Sequence, residues 1–254
     1  MSPATGARPP VVLLHGVGLD ASMWGPVRAL LVADGFEVLT PDLPGHGSNP
    51  PVAAGTTLAD LAAAVAGQVP AGAVVVGFSL GALVAQHLAR FRPDLVGALV
   101  SLNSVCRRTP EERAAVLGRL AASEADFAAG AEASLRRWFE GTAVPAAVVA
   151  RTREVLLAND RESFLACYRV FATADAEIGP ELPRIDRPAL AVTGELDGGS
   201  TPEMTHRLAG AIPGCEAVVV PGARHMLPVT DPEPFVSILT TFVRKRSHVA
   251  ASAN

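Results

Sequence analysis

Three cysteines in 254 residues, Cys106, Cys167 and Cys215, are too few and too far apart for a disulfide framework, and no CxxC pair is present. They read as inert thiols in a reducing compartment, and no metal site or organic cofactor is expected. A surplus of basic charge is also missing. With 21 Lys and Arg against 25 Asp and Glu, the net charge of −4 leaves no field to hold nucleic acid. The acidic, apolar-poor composition of a disordered chain is absent too, since 49% of the residues are hydrophobic. The opening MSPATGARPP lacks the charged and apolar regions of a secretion signal, so a cytoplasmic protein is expected. Leu61 to Ala89 carries no formally charged residue, but Gln68, Pro70 and Gly72 break it short of the roughly 20 continuous apolar residues of a membrane span. No membrane partner is expected, and no internal repeat stands out.

What is present is an alternation of strand and helix signals. VVLLHG (11–16) is a short apolar run stopped by glycine, and SMWGPVRALLVADGF (22–36) has helical apolar spacing closed by Gly35. EVLTPDLPG (37–45) reads as the next strand, and TTLADLAAAVAGQV (56–69) as a helix opened by Thr56 or Thr57. AVVVGF (73–78) and LGALVAQHLARF (80–91) repeat the pair, and LVGALVSLNSV (95–105) continues it. After an interruption come ALAVTGE (189–195), PEMTHRLAGAI (202–212), EAVVVPG (216–222) and PEPFVSILTTFVRK (232–245), with a tail expected to fray from Ser247. Such alternation predicts an α/β fold: a mostly parallel sheet of about six strands with right-handed crossovers and helices on both faces.

The interruption contains no strand signal. Leu135, Trp138 and Phe139, then Val148, Thr152, Val155 and Leu156, then Phe164, Tyr168 and Phe171, recur at helical spacing. A helical lid over 107–182 is expected, inserted into a core made of 1–106 and 183–254. Its place between two strands puts it over the carboxyl ends of the sheet, where open α/β sheets bind ligands.

Within this frame the stretch Gly77-Phe78-Ser79-Leu80-Gly81 places a serine at a strand-to-helix junction. A turn that tight strains the serine backbone, and side chains at the flanking positions would strike neighbouring elements, so glycines fit there. The helix beginning at the serine aims its backbone N–H groups where an oxyanion would form. Serine at its ordinary pKa is a weak nucleophile and requires a histidine base oriented by a carboxylate. Among the six histidines, His87 is too far along the helix, His206 lies on a charged helix face, His248 is in the tail, and His15 and His46 precede the serine in loops. His225, in the loop before the last helix, remains as the base. Asp197, followed by Gly198 and Gly199, is the favoured acid, with Glu195 as the alternative; Asp231 and Glu233 read as the cap of the last helix. The oxyanion donors are expected from the backbone of Leu80 and of Val17, in the turn HGVGL. His15 and His46 read as supports beneath these loops, with a direct catalytic role for His15 as the alternative.

The ordered set HGVG, PDLPGHGSN, GFSLG, GELD and ARHM resembles the α/β-hydrolase family along nearly the whole chain. SLRRWFE, REVLLANDRESFLACYRVFATAD and the segment from GELDGGSTPEM through VVVPGARHMLPV are most similar to 3-oxoadipate enol-lactonases and related small esterases. The resemblance implies a triad of Ser79, Asp197 and His225. Since about ten residues precede the first strand, the family's opening antiparallel hairpin is expected to be missing, leaving a barer sheet edge and a monomer or a homodimer.

The function expected is hydrolysis of a small carboxylic ester or enol-lactone through an acyl-enzyme. The alternatives are cleavage of a carbon–carbon or amide bond in aromatic-ring degradation products, and a hydrolase-fold protein that binds a small molecule without turning it over. Trp24, Arg137, Trp138 and Met226 are the substrate-binding candidates, with Met23 and Phe139 beside them. Arg136 and Arg137 read either as a bidentate clamp for a substrate carboxylate or as a solvated helix face.

Overall fold

Val11–Leu14 (β1) and Ala73–Phe78 (β3) are buried along their whole length, because helices cover both faces of the sheet they share. The computed structural model describes residues 8–252; residues 1–7 and 253–254, which belong to the opening segment and the tail, lie outside the described residues. The remaining strands are Val38–Leu39 (β2), Val96–Leu102 (β4), Ala189–Gly194 (β5) and Glu216–Val220 (β6). They form one six-stranded sheet in the order β2-β1-β3-β4-β5-β6, with every pair parallel. No antiparallel strand precedes Val11 among the described residues.

This order fixes where a ligand can sit. From β1 the chain steps outward to β2, whereas from β3 it steps to β4 on the other side, so the crossovers diverge between β1 and β3. The loops after β1 and β3 therefore flank the topological switch point, the crevice where doubly wound sheets bind ligands.

Several helices start where capping chemistry places them. Thr57 caps Leu58–Ala66 (α2) in a reciprocal capping box with Asp60, which settles the choice between Thr56 and Thr57. A 3-10 turn at Ala21–Trp24 leads into Gly25–Ala33 (α1), and Gly35 at a φ of +80° ends the segment. Leu80–Phe91 (α3) follows β3 directly. The strand expected over 37–45 is reduced to Val38–Leu39. Pro41 has no N–H to give a ladder, and the Asp42 side chain binds the backbone N–H groups of Ala21 and Ser48 instead.

Between β4 and β5 lie four α-helices, a short 3-10 turn at Leu182–Arg184 and no strand, as the spacing predicts: Pro110–Ala125 (α4), Phe127–Phe139 (α5), Ala146–Ala158 (α6) and Arg161–Ile178 (α7). The two ends of this insert are pinned together. Arg108 donates to Asp175 at 2.7 Å, with both side chains almost fully buried, and Arg113 reaches the same carboxylate at 3.2 Å. Pro202–Ala211 (α8), Leu227–Thr230 (α9) and Pro232–Ser252 (α10) complete the chain. α10 continues past Ser247, where fraying is expected; the stretch to Ser252 holds no glycine or proline to stop it. No helix among the described residues is long and apolar enough to cross a membrane.

Candidate active site

Ser79 has a φ of +54° and a ψ of −112°, a conformation that side-chain-bearing residues rarely hold. The two glycines beside it are required by contact. A Cβ on Gly77 would lie 2.1 Å from the Gly81 carbonyl oxygen, and one on Gly81 would lie 2.4 Å from the Leu14 carbonyl oxygen. Glycine thus lets α3 fold back against β3 and β1 immediately after the serine. The Ser79 N–H donates to Leu102 O at 2.9 Å, which ties the turn to the end of β4.

At the ends of β5 and β6 the structure brings Asp197 and His225 together. His225 Nδ1 lies 2.7 Å from Asp197 Oδ2. The other carboxylate oxygen accepts the N–H groups of Gly199 at 2.8 Å and Ser200 at 3.0 Å, so the turn expected from the two glycines serves to hold the acid. Burial pushes the Asp197 carboxyl up, but attraction to His225 and hydrogen bonds from His225, Ser200 and Asn103 outweigh it, leaving the pKa below the usual carboxylate value. Glu195 points elsewhere and accepts the N–H of Gly222. The His225 ring lies between Phe78, at 4.9 Å between centroids, and Trp138, stacked at 5.8 Å, which restricts its rotation.

The loop after β1 places Val17 at the wall of a cavity of about 320 Å³ that also receives Ser79, Asp197 and His225. Leu80, the first residue of α3, has an N–H with no acceptor inside the helix. His15 and His46 brace the loops from beneath, and they do so reciprocally. His15 Nε2 accepts the N–H of Leu43 at 2.8 Å, while His46 Nε2 accepts the N–H of Gly18 at 2.9 Å. Desolvation lowers the pKa of His15 to about 4 and that of His46 to about 3, so both rings are neutral and able to accept.

The four substrate-binding candidates divide. Arg137 and Trp138 line the cavity, but Trp24 and Met226 are wholly buried in the core and do not. Trp24 packs edge-on to Phe78 at 6.4 Å beneath the sheet end, and Met226 sits at the start of α9. Trp24 ends the 3-10 turn before α1 and Met226 caps α9, and both side chains turn inward. Arg137 is exposed to the open cavity, yet enough protein surrounds its guanidinium that desolvation lowers its pKa, partly offset by Tyr168 and Asp197. Ser134 Oγ accepts from it at 2.9 Å. Burial pushes the thiols of Cys106 up to about 11 and of Cys167 and Cys215 up to about 12, so none offers a thiolate.

Sequence reading missed three contributors. Asn103 donates to Asp197 Oδ2 at 2.8 Å; its only signal was an asparagine at a strand end, where a φ of +47° is tolerated. Arg119 and Arg224 join Arg136 and Arg137 around the cavity, although they lie over a hundred residues apart.

The alpha/beta hydrolase family model matches residues 11–238. The chain belongs to the alpha/beta hydrolase family. Among its relatives, this alpha/beta hydrolase is 33% identical over 232 residues to the (E)-2-((N-methylformamido)methylene)succinate hydrolase of Acinetobacter baylyi, covering 90% of this chain and 88% of that one. It is 30% identical to the pimeloyl-[acyl-carrier protein] methyl ester esterase of Vibrio atlanticus, covering 95% and 96% of the two chains. The crystal structure of the enol-lactonase from Burkholderia xenovorans LB400 superposes with a TM-score of 0.83 at 28% identity, over 96% of this hydrolase and 94% of that chain. The esterase and lactonase resemblance of the sequence motifs thus has counterparts among both relatives and solved structures.

Proposed function

We propose that this hydrolase cleaves a small carboxylic ester or lactone through an acyl-enzyme on Ser79, and that its substrate carries a second, free carboxylate. The observation that carries the first part is the strained Ser79 lining the same cavity as a His225 whose Nδ1 is already engaged by Asp197. That engagement leaves Nε2 to take the serine proton. Oγ attacks the acyl carbon, and the tetrahedral oxyanion accepts the N–H groups of Val17 and Leu80. Collapse expels the alcohol, which takes the proton from His225. Water, deprotonated by the same ring, then releases the acid and restores Ser79. Each oxyanion donor contributes about 3 kcal/mol of transition-state stabilisation in acyl transfer of this kind.

The second part rests on charge. Four arginines, Arg119, Arg136, Arg137 and Arg224, meet at the cavity with two carboxylates, and one of these, Asp197, is committed to His225, Asn103 and two backbone N–H groups. A guanidinium fork at the cavity wall matches a carboxylate bidentately. The succinate named in the Acinetobacter relative's substrate points the same way. Residues 107–182 serve as the lid that carries three of these arginines.

Turnover of p-nitrophenyl esters by the wild type and by Ser79→Ala tests the nucleophile. Loss of at least a thousandfold in kcat supports it, whereas equal rates for the two proteins refute it. Tm elevation by a carboxylate ligand with no turnover of any ester favours the binding-protein alternative.

A further inference from the structure

The junction of α6 and α7 rests directly on the loop that carries Val17. Gly18 is held on both sides of its Cα: its N–H donates to His46 Nε2, and its carbonyl accepts from Asn159 Nδ2, each at 2.9 Å. One peptide earlier, Gly16 O accepts the N–H of Leu19 at 3.2 Å and lies 2.8 Å from His15 Nδ1. Because Gly16 C=O and Val17 N–H share one rigid peptide plane, ties on this short turn set the direction in which the Val17 N–H points. Three of those ties come from the core, and the fourth, Asn159, comes from the helical insert.

Packing closes the same contact. Gly18 has a φ of +74°, and a Cβ there would come within 2.7 Å of both Leu156 and Phe164, which lie on either side of Asn159 in sequence. The insert is anchored next to this point as well, through the Val52 N–H donating to Ser163 Oγ at 2.7 Å. The insert therefore grips both the Val17 loop and the loop that carries His46.

We propose that Asn159 is a positioning residue that couples seating of the insert to formation of the Val17 half of the oxyanion hole. The inference deepens the acyl-transfer reading and rests on it. In the seated arrangement the Asn159 amide fixes the Gly18 carbonyl; when the α6–α7 junction lifts, that tie is lost, the turn keeps only its other three ties, and the Val17 N–H is held less firmly toward the developing charge.

Asn159 also has a local task, since its Nδ2 reaches Val155 O at 2.8 Å and Leu156 O at 3.0 Å at the end of α6. The test has to separate helix capping from positioning. For Asn159→Ala we expect kcat on p-nitrophenyl butyrate to fall at least tenfold with KM within twofold of wild type. The rate of stoichiometric labelling by diethyl p-nitrophenyl phosphate should fall in parallel. In that labelling Ser79 Oγ bonds to phosphorus, p-nitrophenolate leaves, the serine proton passes to His225, and the phosphoryl oxygen occupies the oxyanion site.

Asn159→Asp keeps the side chain's shape but cannot donate, and it is expected to show the same losses; it also serves if Asn159→Ala fails to fold by circular dichroism. A lowered Tm with kcat and labelling rate both within twofold of wild type means capping alone and overturns the proposal. If the wild type is labelled no faster than Ser79→Ala, the acyl-transfer reading fails, and this inference fails with it. If the wild type is labelled and the Asn159 variants are labelled equally fast, only the Asn159 inference fails.

Discussion

Asn103 donates its side-chain amide to Asp197 Oδ2 at 2.8 Å, so that oxygen serves Asn103 and His225 at once. Removing the donor leaves a buried carboxylate under-satisfied. Asn103→Gly, which accepts the positive φ, is expected to lose about 1.5–3 kcal/mol of stability together with most of the activity. Asn103→Asp sets a second carboxylate against the first and should be worse. Urea denaturation and kcat/KM for both variants check this; an Asn103→Asp protein as stable and active as wild type would show that the contact is idle.

The paired histidines give the fold an acid limit. Each has a folded pKa, about 4 for His15 and about 3 for His46, well below the ordinary 6.5 of an unfolded chain, so the unfolded state takes up protons that the native state refuses. Their contribution is complete above pH 6.5 and declines as pH falls toward 4, by about 1.4 kcal/mol per pH unit for each ring. Unfolding free energies at pH 7, 6 and 5 should fall accordingly. His46→Gln, which keeps an acceptor without a titrating group, should show roughly half the slope. Superimposable pH profiles for the two proteins would count against this account.

Glycines at the elbow and glycines elsewhere should behave oppositely. Gly81→Ala drives a methyl into the backbone of Leu14 and His15 and is expected to prevent folding or to cost more than about 3 kcal/mol. Gly118, inside α4, has open space around its Cα, and Gly118→Ala should stabilise by about 0.5–1 kcal/mol. Thermal melts of the two variants decide it.

Asp175 is the counterpart of a buried Arg108. Asp175→Ala strands that cation and should cost about 3–5 kcal/mol, whereas the double replacement Arg108→Met with Asp175→Leu should recover most of the loss. Equal stability of the single and double variants would show that the pair is not coupled.

The proposed preference for a substrate carboxylate can be tested as a ratio. The kcat/KM for p-nitrophenyl hemiglutarate over that for p-nitrophenyl pentanoate is expected to exceed ten in the wild type and to fall at least tenfold in Arg137→Gln, mainly through KM. A ratio near one in the wild type would rule out a carboxylate-binding role for the arginines.

Much of the fold was legible because its signals are local. β1 and β3 appear as unbroken apolar runs, α2 begins at a threonine with an acid three residues on, and the insert shows helical spacing throughout. The strained turn at Ser79 was legible for the same reason, since the glycines flanking it are demanded by contacts within a few residues or with the adjacent strand. Where reading failed, the cause was an interaction between distant segments. β2 is short because Asp42 serves the loop at Ala21, and Trp24 and Met226 face the core because of how the segments leading into α1 and α9 pack.

The sequence by itself determined the alternation of strands and helices and the glycine-flanked turn at Ser79, because periodicity, capping and glycine placement act over a few residues. Only the tertiary structure decided that Asp197 and not Glu195 meets His225, that Asn103 shares the carboxylate, and that four arginines converge on the cavity. It alone laid Asn159 against Gly18. The hydrogen-bonded pairs among these span from 28 to 141 positions of chain, and such contacts exist only once the parallel sheet has brought its strand ends side by side and the helical insert has packed over them.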